Sequence, residues 1–430
     1  MRSNYKRIGD YVTQIKLKNT DNSISDYDLK GININKHFMP SVANINGTDL
    51  SKYRVVKKNQ FAFNPMHVGR DEVLPISMLD IENPVIVSPA YVVFEVKDEK
   101  DLLPEYLMMW CRRSEFDRNA WFMTDNSVRG GFSWIDFCDM ELSIPSIEQQ
   151  RGVVREYNVV NDRIALNEKL TQKLEDTAQA IYKQWFVDFE FPISKEYAES
   201  IGKPELEGAP YKSSGGEMKY CEELNREIPL NWNVSSLGDI LNVKHGFAFK
   251  GEYFSDIDNG HILLSPGNFK IGGGMKLDKM RFYHSDIPLD YIFNEGDVMV
   301  TMTDLSKASD TLGYPALIPS LPGYKLLHNQ RLGKLELKDE FIFQEFIYQL
   351  LCCTEYRNEI VGGATGTTVK HTSPTRIMQF QFARSDSSSI YESFCRLVSP
   401  IESLKESLAS DINILKNLAS VLLTKLSIVD

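Results

Sequence analysis

Glu105-Tyr106-Leu107 and Ser114-Glu115-Phe116 return 240 residues later as Glu345-Phe346-Ile347 and Thr354-Glu355-Tyr356. At the same offset Ser133, Phe137 and Leu142 stand opposite Ser373, Ile377 and Phe382. Each repeat is followed by a long heptad-patterned segment, so the chain reads globular, helix, globular, helix. Two similar but non-identical modules suit a protein that reads two different things at a set distance.

Working outward from the repeat, Gln60–Phe63, Val85–Val87 and Tyr91–Val96 read as strands. A helix is expected from Pro104 to Asn119, with Pro in its first turn and Leu107, Trp110, Cys111 and Phe116 at helical spacing. The second module repeats this plan, with strands at Gly296–Thr303 and Leu332–Leu337 and a helix from Phe343 to Tyr356.

In the first long segment, Val153, Tyr157, Val160, Ile164, Asn167, Thr171, Leu174, Ala178, Ile181 and Trp185 alternate spacings of four and three. That is a coiled-coil seam, with Asn167 and Thr171 as polar positions able to fix the register. Phe394, Leu397, Ile401, Leu404, Leu408, Ile412, Leu415, Leu422 and Leu426 form its counterpart. Helix–helix packing is expected through Val153, Tyr157, Val160, Ile164, Leu174 and Ile181 on one side and Ile401, Leu404, Leu408, Leu415 and Leu422 on the other. The fold class is α+β: two similar mixed α/β domains separated by two long antiparallel coiled-coil helices, built by internal duplication. Domains are expected at 1–146 and 232–385, helices at 147–190 and 386–430, and a polar connector at 191–231. Lys212-Ser213-Ser214-Gly215-Gly216 is the expected flexible centre of that connector.

The 430 residues suffice for two ordinary domains, and 42% hydrophobic with 25% charged residues is a globular composition. No apolar run reaches the ~20 residues that span a bilayer, and no secretory signal opens the chain, so a cytoplasmic protein is expected. Six cysteines form no CxxC pair, and the seven histidines are not paired in sequence, so a zinc site is not expected. The net charge of −11 is spread evenly, each of the five segments above carrying −2 or −3. A generally basic, DNA-coating protein is thereby excluded, and DNA would be met through local patches or with a partner's help.

The motifs of catalysis are missing. Gly246 to Gly251 has P-loop glycine spacing but continues with Glu252, not the phosphate-binding lysine. Asn64-Pro65-Met66-His67 is the nearest approach to the Asn/Asp-Pro-Pro-aromatic loop of amino-methyltransferases, and it lacks the second proline and the aromatic ring. HExxH, GxSxG and GxGxxG are absent.

Pro145-Ser146-Ile147-Glu148-Gln149-Gln150, Leu174–Gln179 and Trp185-Phe186-Val187-Asp188-Phe189 resemble the central conserved region of type I restriction–modification specificity subunits. Tyr211–Met218, Ile228-Pro229 and Trp232 through Leu237-Gly238-Asp239 resemble that family's connector and the opening of its second target-recognition domain, with Ile8-Gly9-Asp10 a weaker echo in the first. The C-terminal Leu418–Leu426 stretch resembles the family's last helix but ends in Ser427-Ile428-Val429-Asp430, where members often carry a Gly-containing tail. The resemblance implies a non-catalytic chain whose two target-recognition domains each read half of a bipartite double-stranded DNA sequence. It further implies that the helices fix the spacer and dock two modification (methyltransferase) subunits, which restriction and translocase subunits can join. No cofactor is implied for this chain; S-adenosylmethionine, ATP and Mg would sit on the partners. A stand-alone DNA methyltransferase or nuclease, or a protein-only coiled-coil adaptor, are the alternatives.

Within that reading, Asn126-Ser127-Val128-Arg129-Gly130-Gly131 and Gly362 through His371 are matched candidate DNA loops, combining glycines, small hydroxyls and a cation. The residues singled out are Ser127, Arg129 and Gly130 in the first and Thr367, Thr368, Lys370 and His371 in the second. Thr301 and Thr303, with Lys57 and Lys58 in the region taken as equivalent, complete the set.

Overall fold

The computed structural model describes residues 5–41, 47–66, 72–124, 131–306 and 308–426. They form two compact units, residues 1–168 with 410–430 and residues 169–409, and the division falls inside both long helices.

Each unit is built on a four-stranded antiparallel sheet, and the two sheets share one strand order. In the first unit the order is Val12–Ile15, Val92–Val96, Phe61–Phe63, Ile76–Met78. In the second it is Leu241–His245, Leu332–Leu337, Val298–Thr301, Pro315–Leu317. A strand pair closes each module in the same way, Tyr5–Arg7 with Glu141–Ser143 and Trp232–Ser236 with Gln381–Ser385. The sequence repeat is therefore a topological repeat. The units differ in what they add. The second carries a further five-stranded sheet containing His261–Leu263 and Lys325–Leu327, with its own core around Ile262, Phe269 and Leu326. The first instead has the Lys30–Ile32 and Phe38–Pro40 hairpin. Its turn residue Lys36 is buried against the module's helices, its ammonium on the Asp117 carboxylate at 2.8 Å and 4.7 Å above the Phe116 ring.

The single helix expected from Pro104 to Asn119 is two, Pro104–Cys111 and Ser114–Phe122, broken at Arg113, whose ψ of 145° is extended. On one continuous helix Phe116 would lie about half a turn round from Leu107 and face away from the core. The break turns Phe116 and Ala120 inward, where both are buried. The second module breaks at Cys353, between Gln344–Cys352 and Thr354–Gly362, for the same reason: Ile347 and Tyr356 stand in the same relation, and both are fully buried.

The long helices run Ile147–Tyr182, continued by a wider π turn at Lys183–Val187, and Ser388–Lys425. Within each unit their segments pair antiparallel. In the first unit Val154, Tyr157 and Val160 share a core with Ala419, Leu422 and Leu426, and Lys416 meets Glu168 at 3.2 Å. In the second, the Tyr182 and Trp185 rings pack on Phe394. Val153, Tyr157, Val160, Ile164, Leu174, Ile181, Ile401, Leu408, Leu415 and Leu422 all face inward, wholly or in part. Leu404 and Leu397 do not; both are exposed. The inward place is taken by a buried polar group, in which Lys405 pairs with Glu175 and Glu402 and the Gln349 amide donates to Glu402 at 3.1 Å. Burial alone would lower the Lys405 pKa, but the two carboxylates raise it, while burial also raises that of Glu402.

The connector is ordered rather than loose at its centre. Tyr211 stacks on Phe191, which stacks on Trp232, and the Ser213 backbone N–H donates to Glu190 at 3.0 Å. No helix among the described residues is long and apolar enough to cross a membrane.

Candidate nucleic-acid interface

In the second unit the candidate residues converge at one end of the four-stranded sheet. The strand Val298–Thr301 turns as it ends there: the fully buried Thr301 hydroxyl donates to the Thr303 carbonyl at 2.8 Å and accepts from its N–H at 3.4 Å. The turned segment Thr303–Asp304 pairs with Lys370–His371, placing Thr303 opposite His371 and Asp304 opposite Lys370. The Thr303 hydroxyl lies 3.2 Å from His371 Nδ1. His371 also exchanges backbone hydrogen bonds with Thr365, at 2.9 and 3.0 Å, and so pinches off the loop between them. Gly366 makes that loop possible: its φ is 93°, and a Cβ there would collide with the Val369 carbonyl. Thr367 and Thr368 are exposed at the tip, with Lys370 half-buried and His371 exposed behind them.

Residues the sequence reading missed hold this surface. Burial pushes the Asp304 carboxyl pKa up, but the Ser306 and Thr311 N–H groups and the Thr311 hydroxyl bring it below the ordinary value. The carboxylate thus organises the backbone of the following loop, accepting also from Leu312 at 3.0 Å. Arg357 donates to the Ser309 carbonyl at 3.0 Å and lies 3.7 Å over the Tyr314 ring, tying that loop to the helix Thr354–Gly362. Asp304 stands three residues after Thr301, but no sequence spacing distinguishes a caged aspartate from an exposed one.

Thr301 is therefore a bracing residue with no surface to offer DNA. Thr303 is buried too and acts through the histidine that it orients. Lys57 and Lys58 are not their equivalents. Both lie in the turn before Phe61–Phe63, which matches the turn before Val298–Thr301. Gln60 N–H donates to the Lys57 carbonyl at 2.9 Å as Asp297 N–H does to Asn294 at 3.1 Å, with φ of 64° at Asn59 and 80° at Gly296. That turn is at the other end of the strand, and Lys58 is paired with Glu82. The true counterpart of Thr301–Thr303 is Asn64–Met66. Met66 N–H donates to the Asn64 side chain at 3.1 Å, and Pro65 and Met302 each accept one backbone N–H at 3.0 Å, from Phe132 and Thr372. Asn64–Met66, the described part of the segment nearest to a methyltransferase loop, is thus a turn at the end of a sheet strand. Ser127, Arg129 and Gly130 lie outside the described residues. Among those that are described, no three His, Cys, Asp or Glu side chains gather as metal ligands.

Comparison with known proteins places this architecture. No family model matches the chain. Over 171 residues it is 29% identical to the HindI specificity subunit of Haemophilus influenzae, covering 39% of this chain and 36% of that protein. Over 108 residues it is 32% identical to the MjaIX specificity subunit of Methanocaldococcus jannaschii, covering 25% and 20%. The EcoBI specificity subunit of Escherichia coli matches at 27% over 143 residues, covering 33% and 27%. The likeness is to type I restriction specificity subunits. The chain spans about a third or less of the length of these curated relatives. The fold is shared more widely: the type I specificity subunit from M. genitalium aligns over 98% of this chain and 95% of its own, with a TM-score of 0.54 at 12% identity. The fold expected from the sequence, two mixed α/β modules with two long antiparallel helices, is the fold found.

Proposed function

We propose that this chain is the DNA-specificity subunit of a type I restriction–modification complex, without catalytic chemistry of its own, working in the cytoplasm. Each unit reads one half of a bipartite double-stranded DNA target. The paired long helices hold the unread spacer and dock two modification subunits, which carry S-adenosylmethionine and methylate DNA; restriction and translocase subunits bring ATP and Mg. The observation that carries this reading is the duplicated module, whose two copies keep one strand order and matching backbone hydrogen bonds at Asn64–Met66 and Thr301–Thr303 while their sequences differ. A change of displayed residues on a constant frame is what reading two different half-sites requires.

The acidic balance gives the test. With a net charge of −11, the chain alone should bind DNA weakly, and addition of the modification subunit should raise affinity sharply. The complex should then lose affinity more steeply with salt, about −0.9 in log–log slope for each neutralised phosphate. Tight, sequence-specific binding by the isolated chain would show that its own surface suffices; no DNA preference in the complex would refute the proposal.

A further inference from the structure

Backbone hydrogen bonds continue from Thr303 and His371 across the end of the second unit's sheet. Met302 N–H donates to the Arg331 carbonyl at 3.0 Å, and Gln330 N–H donates to that of Phe247 at 2.9 Å. Phe247 lies two residues beyond the strand Leu241–His245, whose last residue is opposite Gly333. His371, Thr303, Arg331 and His245 therefore border one rim. Its two added segments are unusual for this chain. Residues 244–250 and 325–334 hold five Lys or Arg and no Asp or Glu, although the whole protein is acidic. Lys334 is neutralised by Asp297 and Lys244 lies over the Tyr291 ring, but Arg331 and His245 are exposed, with no ion pair among the described residues.

The first unit repeats this at the same end of its sheet. The strand Val12–Ile15 ends opposite Val93, and Lys16 and Lys18 follow it, both exposed. Lys18 pairs through its backbone with Arg54, whose Nε donates to the Pro89 carbonyl at 3.1 Å. Asn64, the counterpart of Thr301, follows Phe63, which pairs with Val92 at this same end of the sheet. A cationic rim at one topological place in both copies is not explained by packing, since these side chains contribute nothing to the two cores.

We infer that these rims are the DNA-backbone contacts of the two units: Arg331 and His245 in the second, gripping phosphates beside the loop that reads bases, and Lys16, Lys18 and Arg54 in the first, gripping phosphates at the same end of its sheet. The inference rests on the reading of the chain as a DNA-specificity subunit and adds residues which that reading did not supply. Backbone contacts carry no sequence information but fix the register on the duplex, which accounts in the second unit for their place beside, and not on, the 365–371 loop.

The experiment measures affinity of the complete complex with its modification subunit for the preferred duplex and a scrambled one across a salt series. Arg331→Ala and the double variant Lys16→Ala/Lys18→Ala should weaken both duplexes by the same factor. Each phosphate left without its cation should flatten the log–log salt slope by about 0.9; Arg331→Lys should restore most of the slope. Unchanged slopes in both alanine variants, with the wild-type complex still selecting its sequence, would overturn the rim assignment and leave the proposed function standing. Weakening confined to the preferred duplex would also overturn it, by making the rim a base reader. A wild-type complex that prefers neither duplex would overturn both readings together.

Discussion

Thr301 braces the end of its strand through the Thr303 carbonyl, and the Thr303 hydroxyl in turn lies against His371 Nδ1. Nothing in the sequence draws attention to His328. It is buried, with Nε2 2.9 Å from the Leu332 carbonyl and its ring packed on Phe293, and burial pushes its pKa down from 6.5 to about 4. The folded protein thus keeps this histidine neutral where the unfolded chain is already protonated. Because its folded pKa is depressed, the stability it confers is complete above about pH 6.5 and is lost as pH falls towards 4. The loss is of order 3 kcal/mol for the second unit. Gln at this position can still donate to Leu332 but cannot titrate. In urea unfolding from about pH 7 to 4, the His328→Gln variant should show a shallower decline than wild type; parallel declines would place the pH sensitivity in other groups.

Elements are legible where a period or a repeat enforces them. The first long helix is plain because the alternation of four and three recurs over its whole seam, and Gln60–Phe63 because a short apolar run is bounded by turns. The breaks at Arg113 and Cys353 are not, since the local pattern is helical on both sides and only the direction of the core shows that Phe116 and Tyr356 must turn inward. Leu404 fails for a related reason: heptad spacing assigns a position to the seam without knowing that Lys405 and Glu402 fill it. The 365–371 loop is located by its place in the repeat, while its closure by the Thr365–His371 bridge is invisible in sequence. That closure is testable. Gly366→Ala forces a side chain into positive φ against the Val369 carbonyl, a strain of about 1–3 kcal/mol. Such strain should open the loop and weaken binding to the second half-site, while thermal unfolding of the first unit stays unchanged. Full DNA affinity in this variant would remove the loop from the interface.

For the molecule as a whole, the duplication is the feature from which the rest follows. Under the proposed function a single module would need a compact target, whereas two copies sharing a strand order but not their sequence suit two different half-sites. Under that function, a chain of net charge −11 leaves much of the phosphate neutralisation to partners. Methylome sequencing of a host carrying this chain with its modification subunit tests that account most directly. It predicts one bipartite methylated motif, two defined half-sites around a spacer of fixed length and free sequence, which disappears when this chain is removed. Lys370→Ala should relax a position in one half-site and leave the other intact, since removing a hydrogen bond to a base edge costs ~1–3 kcal/mol at that position alone. A single uninterrupted motif, or a motif that persists without this chain, would contradict it.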